Sequence, residues 1–229
     1  MRGRIDHAIL KPEFTRSEVD EQLELAARYR LLSVCVRPSD VSYATERLAG
    51  EVMVGTVIGF PHGTTSTVAK VAEVEQALAD GASELDMVLN IGWLRSGLDD
   101  LVSADIAAVV EASAGRVVKV IFETSLLNED DIVRACRASE SAGAQFVKTS
   151  TGFAGGGATV EHIALMRANV GPAVSVKASG GVRSLDALLA LADAGASRFG
   201  TSASAAILDE AEARAAGAAP SAASDDNSY

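Results

Sequence analysis

Three short phrases in this chain are near copies of one another: DGASELDMV (80–88), SAGAQFVKT (141–149) and DAGASRFGT (193–201). Each runs from the end of an Ala/Leu/Glu-rich stretch, through a glycine, into an apolar segment. Glycines 50, 81, 115, 143, 171 and 195 all close a stretch with helical spacing, where a left-handed C-terminal cap is expected. A β-branched apolar run follows each one. Strand and helix therefore alternate throughout. Strands are expected at 4–9, 32–36, 52–59, 84–89, 117–122, 145–149, 174–178 and 197–201. Helices are expected at 15–30, 38–49, 67–80, 98–114, 129–142, 159–169, 184–194 and 203–215. Thr15 with Glu18, and Asn128 with Asp131, have the spacing of capping boxes. Near-continuous apolar strands separated by helices call for a parallel sheet covered by helices. The economical closure is a single α/β domain, a (β/α)8 TIM barrel over 1–215. An open doubly wound sheet is the alternative. Residues 216–229, ending in Tyr229, read as a flexible tail.

The 229 residues are 48% apolar, enough for one substantial core. A net charge of −11 argues against nucleic acid or an anionic membrane as partner. It leaves room for a small anionic substrate, because oriented N–H groups and local charge override the global sign. The opening MRGRIDHAILKPEF has no long apolar signal region, and no run of about 18 apolar residues exists to span a membrane. The expected location is the cytoplasm. Cys35 and Cys136 then read as reduced thiols, with a disulfide as the alternative.

Only five lysines stand against fifteen arginines, and three of the five lie inside apolar runs. Lys119 is in VVKVIFE, Lys148 in AQFVKTS and Lys177 in AVSVKASGG, at two intervals of 29 residues. An ammonium in a buried strand loses its water at a cost of several kcal/mol unless something compensates. Regular spacing places one lysine per repeat, all facing a shared space. By strand alternation Lys119, Ile121 and Glu123 share a face, as do Phe146, Lys148 and Ser150, and Ser175, Lys177 and Ser179. Asp86 alternates with Leu85 and Met87 in ELDMV. In a barrel these residues converge on the lumen near its carboxyl mouth, where barrel enzymes place their chemistry. A lone Lys–Asp pair is commonly structural. One carboxylate facing three ammoniums is harder to explain that way, and crowded lysines depress one another's pKa, which makes an amine nucleophilic.

Two glycine-bearing loops add a second signal. Gly180 and Gly181 follow the seventh strand, and Gly200, Thr201 and Ser202 follow the eighth. Loops at these positions commonly bind phosphate through backbone N–H groups, and glycine allows close approach. Arg183 either adds charge there or caps a surface turn. TSTGF (149–153) with Gly155, Gly156 and Gly157 forms a long loop that either folds over a substrate or simply connects. GFPHG (59–63), with His62, is similarly ambiguous.

These segments resemble deoxyribose-phosphate aldolase, a class I, Schiff-base family with a (β/α)8 fold. The matching stretches are DHAILKP (6–12), VIGFPHG (57–63), ELDMVLNIG (84–92), VKVIFET (118–124), FVKTSTGF (146–153), KASGGVR (177–183) and RFGTS (198–202). They cover residues 6 to about 210 in order. The resemblance implies that Lys148 forms the Schiff base, that Lys177 lowers its pKa, and that Asp86 shuttles protons through an ordered water. Asp6 matches a contact to a substrate hydroxyl. Gly152, Gly180, Gly181 and Ser202 match phosphate contacts; Lys119, Thr149, Arg183 and Gly200 complete the expected substrate-binding set. The terminal Tyr229 matches a tyrosine that enters the site in some members. The implied reaction is reversible cleavage of 2-deoxy-D-ribose 5-phosphate, needing no metal and no organic cofactor. A homodimer or homotetramer is expected. One departure stands out: many members read TSS after the last strand, and here Ala203 follows Ser202. Two other readings of the residues stay open: a Schiff-base barrel with other substrates, and a non-catalytic barrel that senses phosphorylated sugars.

Overall fold

A computed structural model of the protein describes residues 1–217. Eight parallel strands close into a barrel in chain order. They are β1 (Ile5–Ile9), β2 (Ser33–Val36), β3 (Met53–Ile58), β4 (Glu84–Val88), β5 (Val117–Ile121), β6 (Phe146–Lys148), β7 (Ser175–Ser179) and β8 (Arg198–Thr201). β8 pairs back onto β1, with Asp6 opposite Gly200. The intervening helices are α1 (Arg16–Tyr29), α2 (Val41–Leu48), α3 (Thr67–Ala79), α4 (Ile91–Arg95), α5 (Asp99–Ala112), α6 (Glu129–Ser141), α7 (Val160–Ala168), α8 (Leu185–Asp193) and α9 (Ser204–Ala215). All eight expected strands are present. The short α4 was not expected; Asn90 caps it by accepting a hydrogen bond from the Trp93 N–H. None of the described helices is long and apolar enough to cross a membrane.

Alternation along each strand divides the molecule. Val34, Val36, Leu85, Met87, Val118, Val120, Val147, Val176 and Phe199 face outward into the apolar layer beneath the helices, all buried. Complete burial of such a side chain contributes roughly 1.5–3 kcal/mol. Their neighbours Ser33, Cys35, Asp86, Lys119, Lys148 and Lys177 are also buried. They project the other way, into the lumen.

Local signals are realised in detail. Both capping boxes form, at Thr15–Glu18 and Asn128–Asp131. Glycines 50, 81, 115, 143 and 195 have the positive φ of a left-handed cap. Gly171 does not. Its N–H instead donates to the Glu140 carboxylate at 2.9 Å. A Cβ there would lie 2.5 Å from the same oxygen, so a side chain at this position would displace the end of Glu140.

One buried ion pair lies outside the barrel. Lys70 on α3 donates to Asp105 on α5 at 2.6 Å and to the Val88 carbonyl, at the end of β4, at 2.9 Å. Both side chains are almost wholly buried. The pair ties two helices to the strand that carries Asp86. It also backs the loop after β3, where a Cβ on Gly59 would lie 2.8 Å from Lys70 Cε.

Candidate active site

The lumenal lysines meet at carboxylates supplied by other strands. Asp86 on β4 accepts from Lys119 on β5, Lys148 on β6 and Lys177 on β7, each at 2.7 Å. The sequence reading of one carboxylate against three ammoniums is corrected here, because two more carboxylates enter. Glu84, two residues before Asp86 on the same face, accepts from Lys119 at 2.7 Å. Asp6 on β1 lies 2.5 Å from Lys177 Nζ and accepts from Ser33 Oγ at 2.7 Å. Arg198 on β8 donates to Asp6 at 2.6 Å and to Glu84 at 3.1 Å. Glu84 and Arg198 were missed as site residues, although strand alternation in ELDMV places Glu84 on the face of Asp86.

These contacts set the charge states. Burial disfavours the charge of Asp86, but Lys119, Lys148 and Lys177 together outweigh it and hold the carboxyl well below its ordinary range. Asp6 is also lowered: Lys177, Lys119 and Arg198 overcome its burial. Burial likewise works against the ammoniums of Lys177 and Lys119. Asp6 and Asp86 raise Lys177 regardless, and Asp86, with Asp6 and Glu84, raises Lys119. Lys148 goes the other way. Its burial, reinforced by the charge of Lys177, exceeds the pull of Asp86, so its pKa is lowered. The wall thus presents one amine biased toward its neutral form among cations held charged.

Lys148, Lys177 and Asp6 line a narrow cavity at the carboxyl end of the barrel, with Gly180, Gly181, Arg183, Gly200 and Ser202 at its upper wall. Outside it lies a vestibule of about 690 Å³, lined by Lys11, Gly152, Phe153, Gly155, Gly156, Gly157, Gly181 and Arg183 among others. Gly152, Gly180 and Gly181 all have positive φ. The loop carrying Gly157 packs directly on the loop after β7: a Cβ on Gly157 would lie 2.4 Å from the Gly180 carbonyl. Gly200 leaves space for the stem of Lys177, whose Cε would be 3.3 Å from a Cβ there. Beyond Ser202, α9 starts at Ser204 with no side-chain cap. Its first-turn N–H groups thereby suit an anion.

Other expected residues lie elsewhere. Lys119 is 1% exposed and held between Glu84 and Asp86, one layer below Lys148 in the strand register. The Thr149 hydroxyl is engaged by the backbone of Ser179, donating at 2.9 Å and accepting at 3.0 Å. It joins β6 to β7. Glu123 does not continue the face of Lys119 and Ile121. Its backbone is left-handed at φ 58°, and its carboxylate holds the hydroxyl and N–H of Thr151. His62 is exposed on its loop. Thr201 gives its hydroxyl to the Val182 carbonyl at 2.5 Å and accepts from the Ala203 N–H at 2.9 Å, leaving Ser202 as the exposed hydroxyl of that run. Tyr229 lies outside the described residues. Cys35 lines the cavity as a free thiol, pushed up to about 11 by burial and the Asp86 charge. Cys136 is free as well.

A closed parallel barrel with a lowered-pKa lysine at its carboxyl mouth has the form of a lyase that acts on carbonyl compounds through an amine. Residues 4–218 match the DeoC/LacD family of aldolases, and the chain belongs to that family. A deoxyribose-phosphate aldolase 1 from Staphylococcus aureus (strain MRSA252) is 54% identical over 210 residues, covering 91% of this chain and 96% of that one. Among solved structures, the tetrameric deoxyribose phosphate aldolase from Aeropyrum pernix superposes with a TM-score of 0.84 at 30% identity, covering 93% of this chain and 91% of the other. An aldolase designated QR15 superposes with a TM-score of 0.90 at 39% identity, covering 94% of this chain and 97% of the other.

Proposed function

We propose that the protein is a deoxyribose-phosphate aldolase, reversibly cleaving 2-deoxy-D-ribose 5-phosphate to D-glyceraldehyde 3-phosphate and acetaldehyde. The observation that carries this reading is Lys148: a cavity-wall amine with a lowered pKa, 2.7 Å from Asp86 and one strand from a cationic Lys177. A lysine with its ordinary pKa of about 10.4 is less than a thousandth neutral at pH 7. Lowering that value supplies nucleophile.

The neutral Nζ of Lys148 adds to the C1 aldehyde, and loss of water gives an iminium. The C3 hydroxyl yields its proton, the C2–C3 bond breaks, and its electron pair moves toward the iminium to leave an enamine and glyceraldehyde 3-phosphate. Protonation of the enamine carbon and hydrolysis release acetaldehyde and restore the amine. The iminium is the electron sink. Asp86 takes and returns protons through a water; general acid–base assistance of this kind contributes about 10²–10⁴-fold. Its low pKa makes it a weak base on its own, so its protonated form is transient. Asp6 contacts a substrate hydroxyl from the cavity wall while holding Lys177 charged. Gly152, Gly180, Gly181, Gly200, Ser202 and Arg183 receive the phosphate with the start of α9. The barrel ends at residue 215, and Tyr229 on the 216–229 tail assists proton transfer; an unchanged solvent exchange of the acetaldehyde methyl protons after its deletion removes it from the mechanism. The working form is a cytoplasmic homodimer or homotetramer acting in deoxyribose phosphate catabolism.

Borohydride reduction in the presence of 2-deoxyribose 5-phosphate, followed by peptide mass mapping, tests the central assignment. The expected adduct is on Lys148. An adduct on Lys177 or Lys119 keeps the aldolase class and overturns the roles. No adduct, with folded protein and saturating substrate, refutes the Schiff-base reading.

A further inference from the structure

The lumenal charges form a closed ring. Arg198 pairs with Asp6, Asp6 with Lys177, Lys177 with Asp86, Asp86 with Lys119, Lys119 with Glu84, and Glu84 returns to Arg198. Three cations alternate with three carboxylates, and every cation in the ring touches at least two carboxylates, Lys119 also lying 3.8 Å from Asp6. Every carboxylate likewise touches at least two cations. Lys148 is outside the ring. Among the described residues it reaches only Asp86, a carboxylate already shared by two ring lysines.

We propose that Arg198 and Glu84 are positioning residues of the aldolase reaction, closing a charge-balanced ring that leaves Lys148 as the surplus amine and therefore the uncharged one. The inference rests on Lys148 being the nucleophile. Four cationic side chains share three carboxylates in a lumen whose members are each 11% exposed or less at the side chain. An uncompensated charge in such a space is costly, and a group that can lose it by giving up a proton does so. Arg198 cannot: a guanidinium stays protonated. It is also fixed in place, lying 5.4 Å from the centre of the Phe146 ring in addition to its two carboxylates. Lys119 and Lys177 each hold two close carboxylates. Lys148, with one shared partner, is the group that yields.

Among the described residues, the surroundings of Lys148 contain no further counter-charge. β1 contributes Asp6, β4 contributes Glu84 and Asp86, β5 contributes Lys119, β7 contributes Lys177 and β8 contributes Arg198. β3 has no titratable side chain, and β2 presents only Cys35, whose raised pKa keeps it a neutral thiol. Above the ring, Arg183 adds a cation at the rim, and Glu123 is turned to Thr151.

Counting charges gives effects of opposite sign. In Arg198→Gln, three carboxylates face three lysines, so Lys148 can hold its proton with full compensation. The acid limb of kcat/KM should then move up by about 1 pH unit, the size of a single nearby charge. In Glu84→Gln, four cations face two carboxylates, and the limb should move down. The double variant Arg198→Gln with Glu84→Gln restores a surplus of one cation, and its limb should return toward the parent's. Arg198→Lys should stay near the parent. Loss of a merely structural contact would lower activity or stability without this pattern of signs.

The experiment is the pH dependence of kcat/KM for 2-deoxyribose 5-phosphate in the parent and these four variants, with borohydride trapping of each and circular dichroism to establish folding. The substrate's own phosphate titration is common to all and cancels in the comparison. Opposite shifts in the two single variants, with recovery in the double, support the ring. A folded Arg198→Gln that is trapped on Lys148 with an unmoved limb overturns it, as do shifts of the same sign in both single variants. If Arg198→Gln does not fold, the downward shift in Glu84→Gln decides the matter alone. Failure of trapping at Lys148 in the parent is a separate result, which removes the nucleophile assignment itself.

Discussion

Lys148 and Lys177 are opposite each other on adjacent strands and differ mainly in the partners they hold. Lys177 bridges two carboxylates from β1 and β4, whereas Lys148 adds a third cation to one of them. Their removal should therefore have different consequences. Lys148→Met should abolish turnover while leaving the urea midpoint within about 1 kcal/mol of the parent, because the balanced charges remain. Lys177→Met should abolish most activity and cost about 3–5 kcal/mol, the usual penalty for stripping a partner from buried ions. Equal destabilisation in the two would contradict this division of roles. The 29-residue spacing made all three lumenal lysines visible in the sequence, since a buried ammonium is rare enough to stand out. Glu84 and Arg198 were less visible. Each sits at the start of its strand, next to a loop, where a charged residue looks like ordinary surface.

The loops after β6 and β7 depend on each other. Gly180 has φ 81°, and a Cβ there would lie 2.9 Å from Gly157 Cα. Gly180→Ala should thus displace the backbone of the loop proposed to receive the phosphate. It should raise KM for 2-deoxyribose 5-phosphate at least 10-fold, with a much smaller change for unphosphorylated 2-deoxyribose, as steady-state kinetics on both substrates would show. An equal loss on both would place the effect on the lysines instead. Lys70→Met tests a different element junction. Leaving Asp105 buried without its ammonium should destabilise the protein by about 3–5 kcal/mol in urea titrations, and a neutral result would mean that Thr67, which donates to the same carboxylate at 2.7 Å, suffices. Helices and strands were legible because their signals are local: capping boxes, glycine caps and apolar runs. The turn into α4 was not, since five residues carry too little periodicity to register. The Lys70–Asp105 pair joins residues 35 apart, and a strictly local pattern contains no trace of it.

At the scale of the whole barrel, several buried acids share one electrostatic environment. Asp6 and Asp86 are both depressed in the folded state. The stability they contribute is complete above the unfolded aspartate value of about 3.9 and is lost as pH falls from there toward the folded values. Urea midpoints should accordingly be nearly level from about pH 7 to pH 5 and decline below about pH 4. A midpoint constant down to about pH 3 would show that these carboxylates are not linked to folding. The alternation of strand and helix was legible from repetition, through six glycine-marked units, and closure was its economical form beside an open sheet. The ring of charges was not legible, because it is a property of closure and each strand supplies only one or two of its members.

The bond from Arg198 to Asp6 spans 192 residues and crosses the junction at which the last strand meets the first. A chain released from denaturant has therefore no closed ring of charges until that junction zips shut, however well its earlier helices have formed. Turnover becomes a clock hand for the final docking event: the recovery of aldol cleavage during refolding should trail the recovery of helical signal and coincide with the arrival of β8.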